Sequence, residues 1–256
     1  MSSPITLTGD QIAQYEANGY LVVPDLLTSD EVSTFLTHEQ DPATEKLRNG
    51  LSTHLTDSAW DYLARHPNVA GAASQLIDGA PRIVQTMYLA KAPAKDGKKK
   101  GGAGVAMHQD THYLPTEPNT LMACWIAMSD TDAENGGLWV VPGSHKTNLR
   151  DTHLNRDSEE HASWVTDHDM KSADGREWTQ KFYSFTIDGI DQEDLVPLTV
   201  PRGAGVFFTS MTIHGSYANS SQDRARLAFA VHYVRDGSWV QRRDVQETTL
   251  VESYSL

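Results

Sequence analysis

The chain has 256 residues, a formal net charge of −13 and a pI near 5.2. That acidity argues against nucleic-acid binding as the main role, and no apolar run approaches the ~20 residues needed to cross a bilayer. Hydrophobic residues at 39% and aromatics at 8% suit a globular chain long enough to fold as one large domain with a substantial core.

The first part, about residues 8–80, reads as helical. Thr8-Gly9-Asp10-Gln11 is a capping box ahead of Ile12 and Tyr15, with Gly19 placed as the C-terminal cap. Tyr20–Pro24 reads as a short strand. A second capping box, Thr28-Ser29-Asp30-Glu31, opens a helix with Val32, Phe35 and Leu36 on one face. Residues 41–56 are polar and carry no clear pattern. Two further helices are expected, one through Trp60 and Leu63 ending before Pro67, the other through Val69, Ala73 and Leu76 to Gly79.

From Pro81 the pattern changes to strands, giving a barrel over about 81–240. Arg82–Lys91 alternates, with Gln85, Met87 and Leu89 on one side and Val84, Thr86 and Tyr88 on the other. Lys95–Gly104 is a basic, glycine-rich loop whose Lys98-Lys99-Lys100 run reads as solvated, or as a lure for anionic substrates. Leu121–Met128 is a buried strand, and Asn135-Gly136 is a turn of the hairpin-forming kind. Leu138–Val141 then runs to Pro142-Gly143. Residues 146–182 are polar and too long for an ordinary connector, so a lid or insertion is expected. Leu195–Val200, Ala204–Thr209 and Leu227–Val234 complete the strands. Helices followed by many short strands imply a mainly β fold with flanking helices, a helix-backed barrel or sandwich.

Met107-His108-Gln109-Asp110-Thr111-His112-Tyr113 carries the chemistry. His108 and Asp110 lie two apart, so at a strand end both side chains leave by one face. With His214, about a hundred residues on, they would complete the two-His-one-carboxylate triad of non-haem Fe(II) oxygenases. His112 could instead close a local zinc cluster of the hydrolase kind, but three such ligands share a side only if the strand curls. A substrate-facing place for His112 and Tyr113 at the barrel mouth is preferred. His145 and His232 read as structural, although His232 shares the parity of Arg226, and His153, His161 and His168 read as surface residues. In Arg224-Ala225-Arg226-Leu227-Ala228-Phe229-Ala230-Val231, alternation puts Arg226, Ala228 and Ala230 on one face and the bulky residues on the other. A guanidinium above small residues suits the distal carboxylate of 2-oxoglutarate, and Ser216 could add a hydroxyl. Arg224 has the same parity. Arg226 is preferred because it abuts the apolar run.

Taken together, His108-Gln109-Asp110, Glu134-Asn135-Gly136-Gly137-Leu138-Trp139, Pro142-Gly143-Ser144-His145, and His214-Gly215-Ser216 with Asn219, Ser221 and the arginine beyond resemble the phytanoyl-CoA dioxygenase family of Fe(II)/2-oxoglutarate oxygenases. The resemblance runs from about residue 8 to 235. It is strongest toward the phytanoyl-CoA dioxygenase domain-containing subgroup around Val84–Tyr88 and Trp125–Ala127. It implies a double-stranded β-helix (a cupin-like jelly roll), iron on His108, Asp110 and His214, and 2-oxoglutarate near Met87, Trp125, Ser216 and Arg226. It further implies O2 as co-reactant, stimulation by ascorbate, and a small-molecule substrate hydroxylated at an aliphatic carbon with release of succinate and CO2. Asp110 argues against halogenation, since halogenating relatives lack that carboxylate. The family arginine usually falls eleven residues after the distal histidine, whereas Arg224 is ten and Arg226 twelve after His214. The family's extra lysine near the cosubstrate would correspond to Lys46 or Arg48. A non-catalytic sensor that keeps iron and 2-oxoglutarate is the alternative, and the intact triad weighs against it. Met1–Pro4 lacks the features of a signal peptide and the lone Cys124 cannot form an internal disulfide, so a reducing, cytoplasmic setting is expected.

Overall fold

The computed structural model describes residues 4–41, 51–95, 100–156 and 161–252. Lys46, Arg48, Lys98 and Lys99 lie outside the described residues.

The chain begins with helix α1 (Gly9–Asn18), strand β1 (Tyr20–Val23) and helix α2 (Ser29–Gln40). Helices α3 (Ser58–Ala64) and α4 (Pro67–Ile77) lead into the long strand β2 (Pro81–Lys91). Strands β3 (Val105–His108), β4 (Thr116–Glu117), β5 (Met122–Ala127) and β6 (Leu138–Val140) follow. The next stretch holds β7 (His153–Leu154), β8 (Val165–Lys171), β9 (Glu177–Tyr183), β10 (Phe185–Thr186) and β11 (Val196–Pro197). Last come β12 (Gly205–Thr209), β13 (His214–Ser216), β14 (Arg226–Arg235), β15 (Trp239–Val240) and β16 (Thr249–Leu250).

Both N-terminal helices start at complete capping boxes, Thr8 with Gln11 and Thr28 with Glu31, and α1 ends on Gly19 at φ +80°. A left-handed residue there closes the last turn, and glycine adopts it without Cβ strain.

Six strands form the larger sheet in the order β1-β12-β5-β14-β2-β16, and four form the smaller one in the order β11-β6-β13-β3. Every pairing in them is antiparallel. The chain passes from one sheet to the other between β5 and β6 and again around β13, the winding of a jelly roll. The turn at Asn135-Gly136 is therefore present, with Gly136 at φ +92°, but it hands the chain across to the second sheet and closes no hairpin.

Alternation along the strands builds two separate cores. One face of β5 and β14 turns Cys124, Ile126, Phe229, Val231 and Tyr233 toward the helices, where they pack with Trp60, Leu63, Val69 and Phe35. The other face turns Ala123, Trp125, Ala127, Ala228 and Ala230 inward against Leu138 and Val140 of the smaller sheet. The bulky side is filled with helix. The inner side is floored by alanines, whose short side chains face the smaller sheet.

The 146–182 stretch contains β7 and the hairpin β8–β9, paired from Val165↔Tyr183 to Lys171↔Glu177. His168 there is not a freely solvated residue: its ring tilts against Phe182 at 5.1 Å and Nδ1 lies 3.6 Å from Asp244.

Glu31 offers a test of this helical backing. Its carboxylate accepts from the Thr28 amide (2.8 Å), the Thr28 hydroxyl (2.8 Å), the Tyr62 hydroxyl (3.1 Å) and His66 Nε2 (2.9 Å). Burial works against ionisation, but these bonds bring the Glu31 pKa from the ordinary 4.5 down to about 2. A pKa depressed by folding stabilises the protein above the unfolded value and ceases to do so as pH falls through the folded one. Glu31→Ala should therefore cost about 1–2 kcal/mol at pH 7, and in urea unfolding the two proteins should converge as pH drops from 4.5 toward 2.

Candidate active site

The smaller sheet sets the two histidines side by side. β13 pairs with β3 so that His214 lies directly opposite His108, and residues directly opposite point to the same face. Their rings stand 4.3 Å apart between centroids. The strand ends at His108, Gln109 stays extended, and Asp110 begins a 3-10 turn through His112. One extended residue between them returns Asp110 to the side of His108. Gln109 points the other way and is fully buried. Its amide nitrogen donates to the Met211 carbonyl (2.7 Å) and its oxygen accepts from the Arg150 amide (2.9 Å). That side chain ties the His108–Asp110 segment to the turn leading into His214.

One donor atom from each of His108, Asp110 and His214 lies within 4.8 Å of the other two, and all three residues are buried. Asp110 Oδ1 is 3.4 Å from His108 Nε2 and 3.7 Å from His214 Nε2. Both imidazoles use Nδ1 on a carbonyl two residues back: His108 on Ala106 (2.8 Å), His214 on Thr212 (3.0 Å). A carbonyl only accepts, so Nδ1 carries the proton and each Nε2 lone pair faces the cluster. Backbone partners of this kind orient ligating histidines. Burial, with the His108 imidazole, pushes His214 down to about 4. Burial alone would raise Asp110, but His214, His108 and His232 together hold its carboxyl well below the usual carboxylate range. A neutral histidine and an ionised aspartate are the states a metal requires. The donor set fits a divalent first-row cation.

His232 stands behind the carboxylate. Its Nε2 lies 3.2 Å from Asp110 Oδ2 and its Nδ1 lies 3.3 Å from Gln85 Nε2. An ionised carboxylate can only accept, so Nε2–H donates and Nδ1 receives the amide. His232, expected to be structural though sharing the parity of Arg226, does face inside and stands against the aspartate. His145, by contrast, places Nε2 3.1 Å from the Glu16 carbonyl, away from the triad. His112 turns out of the cluster toward Phe185, at 5.3 Å between rings, although the chain does curl at this point. Tyr113 stands edge-on to His108 at 5.3 Å and accepts from the Phe185 amide (2.9 Å).

The inner face of the larger sheet runs away from the triad in rows. His232 lies opposite Gln85 and Ala123, Ala230 opposite Met87 and Trp125, Ala228 opposite Leu89 and Ala127, and Arg226 opposite Lys91. Arg226 is 3% exposed and donates to the carbonyls of Gly136 (3.2 Å) and Leu89 (2.9 Å). Its guanidinium carbon stands 5.7 Å from the Trp125 ring centroid. Burial lowers it to about 10, still charged at neutral pH. Arg224 precedes the strand and grips surface acids, Asp132 at 2.7 and 3.1 Å and Glu134 at 2.7 Å. Parity could not separate the two arginines, but strand β14 begins only at Arg226. The interior also holds Lys91, the last residue of the strand expected from Arg82; its Nζ donates to Ser216 Oγ at 2.8 Å.

The comparisons with known proteins agree with this geometry. The family model for phytanoyl-CoA dioxygenase (PhyH) matches residues 15–228. The chain belongs to the phytanoyl-CoA dioxygenase family. It is 27% identical over 209 residues to a phytanoyl-CoA dioxygenase of Arabidopsis thaliana, covering 79% of this chain and 64% of that protein. It is 30% identical over 202 residues to phytanoyl-CoA dioxygenase domain-containing protein 1 of Mus musculus, covering 75% and 60%. The chain thus spans a little under two thirds of these relatives' length. Its fold is similar to that of the epimerase SnoN in complex with Fe3+, alpha ketoglutarate and nogalamycin RO. The TM-score is 0.68 at 20% identity, over 90% of this chain and 84% of that one.

The contact behind Asp110 is open to measurement. His232→Leu should weaken anaerobic Fe(II) binding by about 10- to 100-fold, the range for losing a partner that orients a metal ligand. Calorimetric titration of wild type and variant, both shown to melt cooperatively, reads the difference. Equal affinities would reduce His232 to packing.

Proposed function

We propose that this chain is an Fe(II)- and 2-oxoglutarate-dependent dioxygenase that hydroxylates an aliphatic carbon of a small-molecule substrate. The observation that carries the reading is the pairing, within one interior, of a buried His108–Asp110–His214 cluster with a buried guanidinium at the far end of an alanine floor. His108, Asp110 and His214 would hold the iron. Arg226 and Ser216 would take the distal carboxylate of 2-oxoglutarate, with Met87 and Trp125 as walls. When bound, iron, 2-oxoglutarate and O2 supply the oxidising power that puts one oxygen atom into a C–H bond, with succinate and CO2 as co-products.

The chain's own residues do the rest. The Ala106 and Thr212 carbonyls fix the imidazole tautomers, and His232 holds Asp110 in place. Ala228 and Ala230 leave the floor low enough for a linear dicarboxylate. Tyr113, Phe185 and Trp164 stack over the metal side, with Tyr113 4.7 Å from Phe185 and 5.8 Å from Trp164, so the 146–182 stretch acts as a lid that excludes water from the reacting carbon. We read residues 1–256 as a single domain acting on a small molecule in the cytoplasm, with turnover stimulated by ascorbate. Among the described residues no helix is long and apolar enough to cross a membrane.

Supplied with Fe(II), ascorbate, O2 and 2-oxoglutarate, the protein should release succinate, and His108→Ala or His214→Ala should abolish it. Arg226→Ala should raise the KM for 2-oxoglutarate by about 10- to 100-fold, the loss expected for a charged hydrogen-bond pair. Arg224→Ala should change it by less than about twofold, because that charge is held by surface acids. The opposite ranking of the two arginines would sink the assignment, and succinate release surviving loss of either histidine would sink the reading itself.

A further inference from the structure

Gln85 carries a polar atom that the fold leaves without a partner. It stands on β2 opposite His232 of β14, at the metal end of the interior, and is 5% exposed. Its side-chain oxygen is buried and has no hydrogen-bond partner among the described residues. Buried polar atoms in folded proteins are nearly always paired, and an acceptor left open is costly.

The amide cannot escape by turning over. Asp110 is ionised and only accepts, so His232 Nε2–H donates to its Oδ2 at 3.2 Å. His232 Nδ1 must then accept, and the group facing it at 3.3 Å is the Gln85 NH2. Reversing the amide would set its oxygen against the Nδ1 lone pair, two acceptors with no proton between them. The free oxygen is thus fixed by a chain of side chains that ends on a metal ligand.

Few groups can satisfy that oxygen. It repels a carboxylate, so neither end of 2-oxoglutarate suits it, and O2 brings no proton. A saturated hydrocarbon chain brings none either and would seal the oxygen in unpaired. A hydroxyl or an amine would close the bond. Two residues past Asp110, His112 repeats the pattern. Its ring is bonded to the Arg150 backbone, while Nε2 is buried with no partner among the described residues.

We propose that Gln85 Oε1 receives a hydrogen-bond donor of the substrate, and that this chain therefore acts on hydroxyl- or amino-bearing small molecules and not on saturated acyl chains. This rests on the dioxygenase reading above. A site built to hydrogen-bond a donor rejects an analogue without one strongly, because the buried acceptor then stays unpaired in the complex.

The first test is crystallographic. Anaerobic crystals of the wild type with Fe(II) and 2-oxoglutarate are soaked with ethylene glycol, ethanolamine or 1,2-dimethoxyethane, the last of which has oxygens but no donor. The hydroxyl or amino group of the first two should lie within about 3.2 Å of Gln85 Oε1, and dimethoxyethane should leave that place empty. No probe at Oε1, equal occupancy by dimethoxyethane, or an Oε1 bonded only to a protein donor or a metal-bound water overturns the proposal.

The second test is kinetic. Stimulation of succinate release is measured for sugars, polyols, amino acids and amino alcohols, with decanoate and decanoyl-CoA as the acyl class. The donor-bearing compounds should stimulate. The best of them should lose at least tenfold in kcat/KM with Gln85→Met, mostly in KM, the scale of one hydrogen bond to a buried acceptor. Its O- or N-methylated form should be comparably poor with both proteins. Stimulation by decanoate or decanoyl-CoA that Gln85→Met leaves unchanged would overturn the proposal. So would a uniform loss in kcat for every compound with weakened Fe(II) binding, which would reduce Gln85 to a support for His232. If the variant does not melt cooperatively, or no compound stimulates, the wild-type crystals decide alone. Wild type that binds neither Fe(II) nor 2-oxoglutarate would instead bring down the dioxygenase reading on which the proposal stands.

Discussion

One register fixes the site: His214 of β13 opposite His108 of β3. A slip of a single residue would turn one of the two imidazoles to the other face of the sheet, and no loop adjustment would recover the cluster. Neighbouring features hold that register. Gly215 lies where a Cβ would come within 2.3 Å of the Trp139 ring and 2.6 Å of the Val105 carbonyl, so β13 can sit between β6 and β3 only without a side chain there. Gln109 joins the strand end at His108 to the turn before His214 through Met211. The Thr212 hydroxyl, bonded to the Gly19 carbonyl at 2.7 Å, ties that same turn to the end of α1. The helical layer is thus mechanically connected to the metal end without contributing a ligand.

The interior is electrically polarised along β14. Asp110, backed by His232, makes one end; Lys91 and Arg226 make the other; Ala228 and Ala230 lie between. Arg226 and His232 stand six residues apart on β14, so the separation of the two ends is set by the most regular part of the fold and not by a loop. Neither end is electrically satisfied by the other, because the alanine floor intervenes. A small dicarboxylate with a metal at one terminus matches that distribution in charge and in shape. The net charge of −13 on the whole chain is therefore a poor guide to its interior, which buries the two basic side chains Lys91 and Arg226.

How much of this was legible in the sequence depended on whether the signal was local. The capping boxes at Thr8 and Thr28 are local hydrogen-bond patterns, and they define the helices that form. Alternation in β14 separated Ala228 and Ala230 from Phe229 and Val231 because each face meets a different layer. Parity failed where a strand ends. It could not rank Arg224 against Arg226, since only the onset of β14 puts one inside and the other on the surface acids Asp132 and Glu134. Lys91 continues the series Gln85, Met87, Leu89, and that parity was the signal that could have found it. It entered the sequence reading only as the last residue of that strand. His232 was on the right face too, but its contact with Asp110 joins residues 122 apart. The turn at Asn135-Gly136 has hairpin chemistry, yet which sheet receives the next strand is decided by packing across the whole sandwich.

The 146–182 stretch shows the same limit from another side. By composition it is polar, and most of its strand residues are exposed. What attaches it to the site is a few aromatic residues within and just beyond it: Trp164 and Phe185 against Tyr113, with Tyr183 4.4 Å from Phe185. Tyr113 in turn stands edge-on to His108, so these rings meet the cluster through a residue three positions after Asp110. A cover held by ring contacts around one tyrosine can be re-cut through its polar loops while the triad and the cation pair beneath stay as they are. His232 and Arg226, at the two ends of the interior, sit on sheet, whereas the rings around Tyr113 come from the insertion and the residues just after it. On the proposed reading, specificity for the carbon to be oxidised would reside in the part of the chain whose sequence says least about structure.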